Sequence, residues 1–503
     1  LEWALLELPL GLTYDDVVLI PQRSALRSRR DADPTGRFSR RLVLRAPIAS
    51  ANMDTVTEWR MAIAMAEQGG IGVLHRFMPI AEQVEQVQRV KRHEPGYVVE
   101  PETIGPDASL AAAAERMSAR RVSSLLVVDD AGRLLGILSR RDLRPEGDSA
   151  ATVAARMTPR AQLVTANVGV ALNEARALLD RHRLEKLPIV DERDVLRGLI
   201  TERDLARHAA RPAATRDARG RLVVAAAVGA VGDYRERAAA LAAEGVDALV
   251  IDIAHGHSDL AIEAAERVRA DHPQVELVVG NVATPEGARD LAAAGADAVK
   301  VGVGPGAACT TRIVAGAGVP QLSAVYACAK ALADTDVPVI ADGGIRQSGD
   351  VVKALAAGAG CVMIGQMLAG TAESPGETVV RGGRRYKVYR GMASRAAARA
   401  RWLREREGED LDELAQAVTP EGVETVVPFR GPVADVLRDL IGGLRSGMSY
   451  CNARTLDELR ANARFLRVTE AGRREGLPHA LDALLAAGLL ADGTAAEVNV
   501  GME

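Results

Sequence analysis

Residues 301–321 read VGVGPGAACTTRIVAGAGVPQ. They continue a strand-like apolar run that begins at Ala298. Gly304 and Gly306 let the backbone bend sharply there and approach a ligand closely. A lone Cys309 stands just beyond, and Thr310, Thr311 and Arg312 follow at once. A thiol at a strand's C-terminal end, in a tight glycine loop with hydroxyls beside it, is a candidate nucleophile. The competing reading is a small apolar residue in a buried turn, where free cysteine is usually inert. What separates the two is whether the neighbouring strands also end in polar residues.

They do. Apolar runs recur at 223–228, 248–251, 276–279, 298–301, 337–340 and 361–364, with stretches rich in Ala and Leu between most of them. Two more lie upstream at 47–51 and 71–74, and helical patterns at 58–68 and 80–90 follow them. Strand, helix, strand, helix implies parallel pairing through crossovers. The total of about eight strands is the count of an α/β fold, the (β/α)8 TIM barrel. A doubly wound sheet is the alternative, but no GxGxxG opens a helix with an acidic residue beyond it. The strand ends carry Asp252 in DIAHGHS, Asn281 in GNVAT, Cys309, Asp342 in ADGGI and Gly365 in MIGQMLAG. All fall at the barrel's C-terminal face, where such enzymes place their active sites. One Asp at a strand end is often a cap; five successive polar or glycine-rich ends are not explained by packing. A short strand is also expected at 17–20, stopped by Pro21. Residues 431–468 hold apolar residues at helical spacing, as a last barrel helix would.

Between the second and third strands the chain repeats itself. SSLLVVDDAGRLLGILSRRDL, residues 123–143, matches EKLPIVDERDVLRGLITERDL, residues 185–205. Asp129 pairs with Asp191, Gly136 with Gly198, Ser139 with Thr201 and Asp142 with Asp204 at one constant offset. Each copy predicts strand, turn, strand, then a helix opened by Ser/Thr-x-x-Asp. The expected organisation is barrel over residues 1–93, an inserted pair of α+β repeats over 94–215, and barrel again over 216–503. Insertion of this kind is tolerated where loop ends lie close together.

Composition narrows the function classes. The chain has 503 residues, 48% hydrophobic and 26% charged, with a formal net charge of -4. That is an ordinary globular balance with no basic signal for nucleic acid. Aromatics at 3% argue against base stacking. The cysteines at 309, 328, 361 and 451 show no CxxC spacing, so neither a zinc site nor a disulfide framework is indicated. No apolar run is long enough to span a membrane. The start LEWALLELPLGL has acidic residues and lacks the basic opening of a signal peptide. With free cysteines suited to a reducing compartment, the expected location is the cytoplasm.

Specific motifs go further. LTYDDVVLIP, ANMDTVTEWRMAIAMAEQGGIGVLHR, DIAHGHS, GPGAACTTRIVAGAGVPQ, ADGGIRQSGD, AGTAESPGE, YKVYRGM and GGLRSGMSY resemble the IMP dehydrogenase/GMP reductase family over nearly the whole chain. The repeat resembles a tandem cystathionine-β-synthase-type (CBS, or Bateman) module. The first resemblance implies that Cys309 attacks C2 of a purine nucleoside monophosphate, with Thr311 assisting proton transfer. It implies a nucleotide lined by Met53, Tyr389, Gly391, Met392 and Glu421. Asp342 would hold the ribose, and backbone amides near Gly344 and Gly365 the phosphate. Asp252 and Asn281 would meet the dinucleotide cofactor. Carbonyls of Gly304, Gly306 and Cys309 would hold a potassium ion. Such proteins form tetramers, and CBS pairs often join them into octamers. The second resemblance implies an adenine or guanine nucleotide at Ser139, Asp142, Thr201 and Asp204, where plain helix capping is the rival reading.

Two reactions share the implied thioimidate. The dehydrogenase takes IMP, NAD and water to XMP. The reductase takes GMP and NADPH to IMP and ammonia. The dehydrogenase's water-activating Arg-Tyr pair would lie on a flap at about 393–420. Here Arg401 is followed by Trp402 and Arg406 by Glu407. Either arginine is a candidate for that role. Arg395 stands where reductases usually carry Glu, and Ala307 and Gln366 stand where dehydrogenases often carry phosphate-binding Ser. Asn52 is reductase-like, whereas MDTVTE, DIAHGHS, TRIVAG and ESPGE lean to the dehydrogenase. The expectation is therefore IMP dehydrogenase, with GMP reductase the alternative and a silent nucleotide sensor a third reading.

Overall fold

Eight parallel strands close on themselves into a barrel. The strands are β1 (Ile48–Ser50), β2 (Ile71–Leu74), β3 (Ala225–Val228), β4 (Ala248–Asp252), β5 (Glu276–Val282), β6 (Ala298–Val301), β7 (Val339–Asp342) and β8 (Ala359–Ile364). The computed structural model describes residues 8–93, 101–120, 122–143, 151–170, 172–399 and 419–476. Closure is made by β8 on β1, with Val362 opposite Ile48, and by β2 on β3, with Val73 opposite Ala225. Every residue of β2, β3 and β8 is buried. Continuous burial, not alternation, follows from strands that face a filled interior on one side and helices on the other.

The helices alternate as the sequence pattern requires. They are α1 (Trp59–Glu67), α2 (Ile80–His93), α3 (Tyr234–Ala243), α4 (Asp259–Asp271), α5 (Pro285–Ala293), α6 (Gln321–Ala331), α7 (Ser348–Ala356) and α8 (Val433–Tyr450). Helix α8 buries Val433, Val436, Leu437, Leu440, Leu444 and Met448, a single stripe at helical spacing. Its Gly443 and Gly447 face α7: an added Cβ would lie 2.2 Å from Ser348 Oγ and 2.6 Å from Val352 Cγ1. Those two glycines set how closely the last helix docks.

Several strand limits differ from the sequence reading by one to three residues, and two of the starts have a clear local reason. The seventh strand starts at Val339 and not Val337, because Pro338 has no N–H for the ladder. The third starts at Ala225: Val223 N–H bonds to Thr215 O (3.2 Å) and Val224 N–H to the Asp247 carboxylate (2.7 Å). The early strand Val17–Leu19 pairs with Phe465–Arg467, a partner far along the chain.

The repeats fold apart from the barrel sheet. Ser124–Val128 and Leu134–Ser139 pair antiparallel in one copy, as do Lys186–Val190 and Leu196–Thr201 in the other. The copies join reciprocally: Leu134 N–H donates to Asp194 O and Leu196 N–H to Gly132 O, both at 2.9 Å. Leu126, Leu134, Val190 and Leu199 form a shared apolar contact. The expected helix in the second copy is Glu202–Ala210. In the first copy a single 3-10 turn, Arg140–Leu143, is described before residues 144–150, which lie outside the described residues.

A three-stranded antiparallel sheet, Thr378–Arg381, Arg384–Arg390 and Glu424–Pro428, follows the barrel. The sequence reading did not include it. It carries Tyr389 to the barrel mouth and brings the chain back beside Cys309.

Candidate active site

The strand ends converge on a cavity of ≈ 580 Å³ at the C-terminal face. Met53, Asp252, Asn281, Gly304, Gly306, Cys309, Thr311, Asp342, Gly344, Gly365, Tyr389, Gly391, Met392 and Glu421 all line it. Arg401 and Arg406 lie outside the described residues.

Cys309 is half-buried, while Cys328, Cys361 and Cys451 are buried. Burial pushes the thiols of Cys328, Cys361 and Cys451 upward, that of Cys328 to about 12. Those three are therefore structural in character, and Cys309 is the thiol that faces the cavity. Its Sγ–H points to Thr311 Oγ1 at 3.2 Å, and the Thr311 hydroxyl donates to Glu421 Oε2 at 2.8 Å. Sulfur, hydroxyl and carboxylate form one relay with a consistent donor direction.

The relay is held from both sides of the flap. Thr310 N–H donates to Glu421 O (2.9 Å), and Val423 N–H to Ala308 O (3.0 Å). Glu421 N–H donates to Ala393 O, and Gly391 N–H to Val423 O, each at 3.0 Å. The C-terminal root of the segment 400–418 is thus laced to the cysteine loop, and the N-terminal root is laced to the C-terminal one. Arg390 pairs with Asp54, joining the Tyr389–Met392 stretch to the loop after β1. Tyr389 is buried, and burial raises its hydroxyl well above the ordinary phenol value.

A charged cluster forms the cavity floor. Lys300, from the middle of β6, is 2% exposed. Its Nζ donates to Asp252 Oδ1 (2.6 Å), to Asp342 Oδ2 (2.7 Å) and to Asn281 Oδ1. Burial works against its charge, but the carboxylates of Asp252 and Asp342 outweigh it and hold the ammonium above its ordinary value. Burial likewise opposes ionised Asp252, and Lys300 and Asn52 overcome it, leaving Asp252 below its ordinary value. Asn52 Nδ2 donates to Asp252 Oδ2 at 2.8 Å. Asn281 uses both amide hydrogens on Gly302 O (2.8 Å) and Asp342 Oδ2 (2.9 Å). Asn281 thus orients Asp342 as well as lining the cavity. The sequence reading missed Lys300 as a hub. The signal was present: one charged residue inside AVKV, a strand otherwise wholly apolar.

The residues fit the groups assigned to them by resemblance. The N–H groups of Gly344 and Gly365 donate to no partner among the described residues. Two such donors at one cavity wall suit an anion. The carbonyls of Gly304 and Cys309 accept no hydrogen bond among the described residues, whereas Gly306 O accepts from Cys309 N–H at 3.0 Å. Carbonyl oxygens left over in this way suit a hard monovalent cation.

In the repeats, Ser139 gives both its N–H and its hydroxyl to Asp142 Oδ2, each at 2.7 Å. The carboxylate reaching back to the Ser139 N–H is one half of a capping box; the hydroxyl donates to the same carboxylate and caps no N–H. Thr201 ends its strand, and Asp204 lies in the following helix with its side chain outside the description.

Comparison with known proteins shows the family. Residues 11–479 match the family model described as the IMP dehydrogenase / GMP reductase domain. The chain is 48% identical to an inosine-5'-monophosphate dehydrogenase of Nitrosopumilus maritimus, over 93% of this chain and 98% of the other. It is 46% identical to a GMP reductase of Leishmania donovani, over 95% and 98%. A crystal structure of a Trypanosoma brucei GMP reductase variant with guanosine 5'-monophosphate superposes with a TM-score of 0.80. It has 44% identity and covers 94% of this chain and 98% of that one.

Proposed function

The chain belongs to the IMP dehydrogenase/GMP reductase family of purine nucleotide oxidoreductases, and we propose that it oxidises IMP at C2 with NAD and water to give XMP and NADH. The observation that carries the mechanism is the relay Cys309–Thr311–Glu421. The Cys309 proton passes through the Thr311 hydroxyl to the Glu421 carboxylate as sulfur bonds to C2. NAD, when bound, would supply the acceptor for the hydride of C2. The purine is then held to Cys309 as a thioimidate. Glu421 is half-buried and gives its proton to solvent, so the same relay is free to take a proton from the attacking water. The thiolate leaves and XMP is released. Asp342 holds the nucleotide ribose, Gly344 and Gly365 the phosphate, and Asp252 the cofactor's ribose. Met53, Tyr389, Gly391 and Met392 line the purine side. Gly304, Gly306 and Cys309 would supply carbonyls to a potassium ion beside the cysteine loop, with Gly306 O also accepting from Cys309 N–H.

A second reading, GMP reductase with NADPH, is favoured by Asn52 on Asp252 and by the absence of Arg-Tyr between 391 and 420. The relay serves it too, running in reverse to protonate departing ammonia. In either case we read the repeats as a CBS pair that takes an adenine or guanine nucleotide at Ser139, Asp142, Thr201 and Asp204. The same reading makes the protein a cytoplasmic homotetramer or octamer.

The test is direct. Purified protein with potassium is given IMP plus NAD, and separately GMP plus NADPH, and the reduced cofactor is followed by absorbance. Formation of NADH supports the dehydrogenase. Consumption of NADPH with GMP alone replaces it with the reductase. Turnover in neither removes both and leaves a nucleotide sensor.

A further inference from the structure

Lys300 is the least exposed charged group at the cavity. Its ammonium has three N–H donors, and three acceptors meet them: Asp252, Asp342 and Asn281. The two carboxylates rise from different strands, β4 and β7, with β6 carrying the cation between them. Asn281 adds a second link by donating to Asp342, and Asn52 steadies the other side of Asp252. Arg76 also acts on Asp252 through its charge, but Lys300 is the cation hydrogen-bonded to both carboxylates at once.

One cation shared by two anions cannot answer them independently. A ligand hydroxyl that donates to Asp342 draws charge from the Asp342–Lys300 pair and alters what Lys300 offers Asp252. The low local dielectric makes that transfer larger than it would be in water. We propose that Lys300 is a positioning residue that couples the nucleotide-side carboxylate Asp342 to the cofactor-side carboxylate Asp252, so that occupation of one ribose site is felt at the other. The proposal rests on the reading of those carboxylates as the two ribose ligands. Lys300 itself is assigned no contact with substrate or cofactor.

A double-mutant cycle on kcat/KM, measured with Asp342→Asn, Asp252→Asn and both together, tests it. Each single variant loses activity, Asp342→Asn through the KM for nucleotide and Asp252→Asn through the KM for cofactor. With Lys300 shared, the double variant loses about 10-fold less than the product of the single losses, within the span usual for contacting residues. Repeating the cycle in Lys300→Met removes that shortfall to within about two-fold, and Lys300→Arg restores part of it. A residue that only stabilised the fold would change the thermal midpoint and leave the coupling intact. Single losses that multiply in the Lys300 background overturn the coupling while leaving the ribose reading in place. That background needs no Lys300 variant to fold. Single variants that move neither KM overturn the ribose reading and the proposal with it.

Discussion

Replacing Glu421 by Gln keeps the shape of the relay and removes its terminal base. In the native protein the path runs 3.2 Å from Cys309 Sγ to Thr311 Oγ1 and 2.8 Å from there to Glu421 Oε2. A neutral amide oxygen still accepts the Thr311 hydrogen bond but holds no proton. A positioned acid or base usually contributes 10²–10⁴-fold, so the loss in kcat is about 100-fold at the low end of that range. The backbone bonds of Glu421 to Thr310 and Ala393 do not involve the side chain, so the loop stays in place. Rapid mixing with IMP and NAD separates the steps. If the relay mainly drives hydrolysis, the first turnover of NADH is retained as a burst and only the steady state falls. If it also activates the thiol, the burst slows in parallel. A steady-state rate within about three-fold of the native value would refute the relay, because it leaves less than a general base supplies.

The remaining expectations concern other parts of the molecule. Gly302→Ala should lower stability by at least 1–3 kcal/mol in denaturant titration, since its φ is +154° and a Cβ would lie 2.0 Å from Asp342 O. Glu276 is opposed by burial but held below its ordinary 4.5 by Ser39 and Arg41. Its stabilisation is therefore complete above pH 4.5 and lost as pH falls through its lower folded value. Glu276→Gln should flatten that acid slope in unfolding curves taken at several pH values. Asp142→Ala removes the acceptor of two Ser139 bonds. It should abolish any thermal shift given by ATP or GTP without changing kcat, and a retained shift would place the nucleotide elsewhere.

Much of the barrel was legible because its strands are runs of Ala, Val, Ile and Leu, and parallel strands buried on both faces leave that mark. Polar strand ends marked the C-terminal face for the same reason: a buried apolar run ends where side chains reach solvent or ligand. Contacts between strands were not legible. Asp252, Asn281 and Asp342 could each be seen at a strand end, but their meeting at Lys300 depends on closure of the sheet. The antiparallel sheet after β8 was missed because its strands, TVVR, RRYKVYR and ETVVP, hold apolar runs of only one or two residues between charged and hydroxyl ones. The partner of Val17–Leu19 was unreadable because nothing local points to Phe465–Arg467. The flap arginines, Arg401 and Arg406, lie outside the described residues and remain expectations from sequence.

The central claim is that Cys309 bonds covalently to the purine. Protein mixed with IMP and NAD, quenched in acid during turnover, digested and examined by mass spectrometry gives the most direct answer. The expected result is a nucleotide adduct on the peptide holding Cys309, absent from Cys309→Ala, which folds normally and does not turn over. Full turnover by Cys309→Ala, or an adduct on Cys328, Cys361 or Cys451 instead, would contradict it.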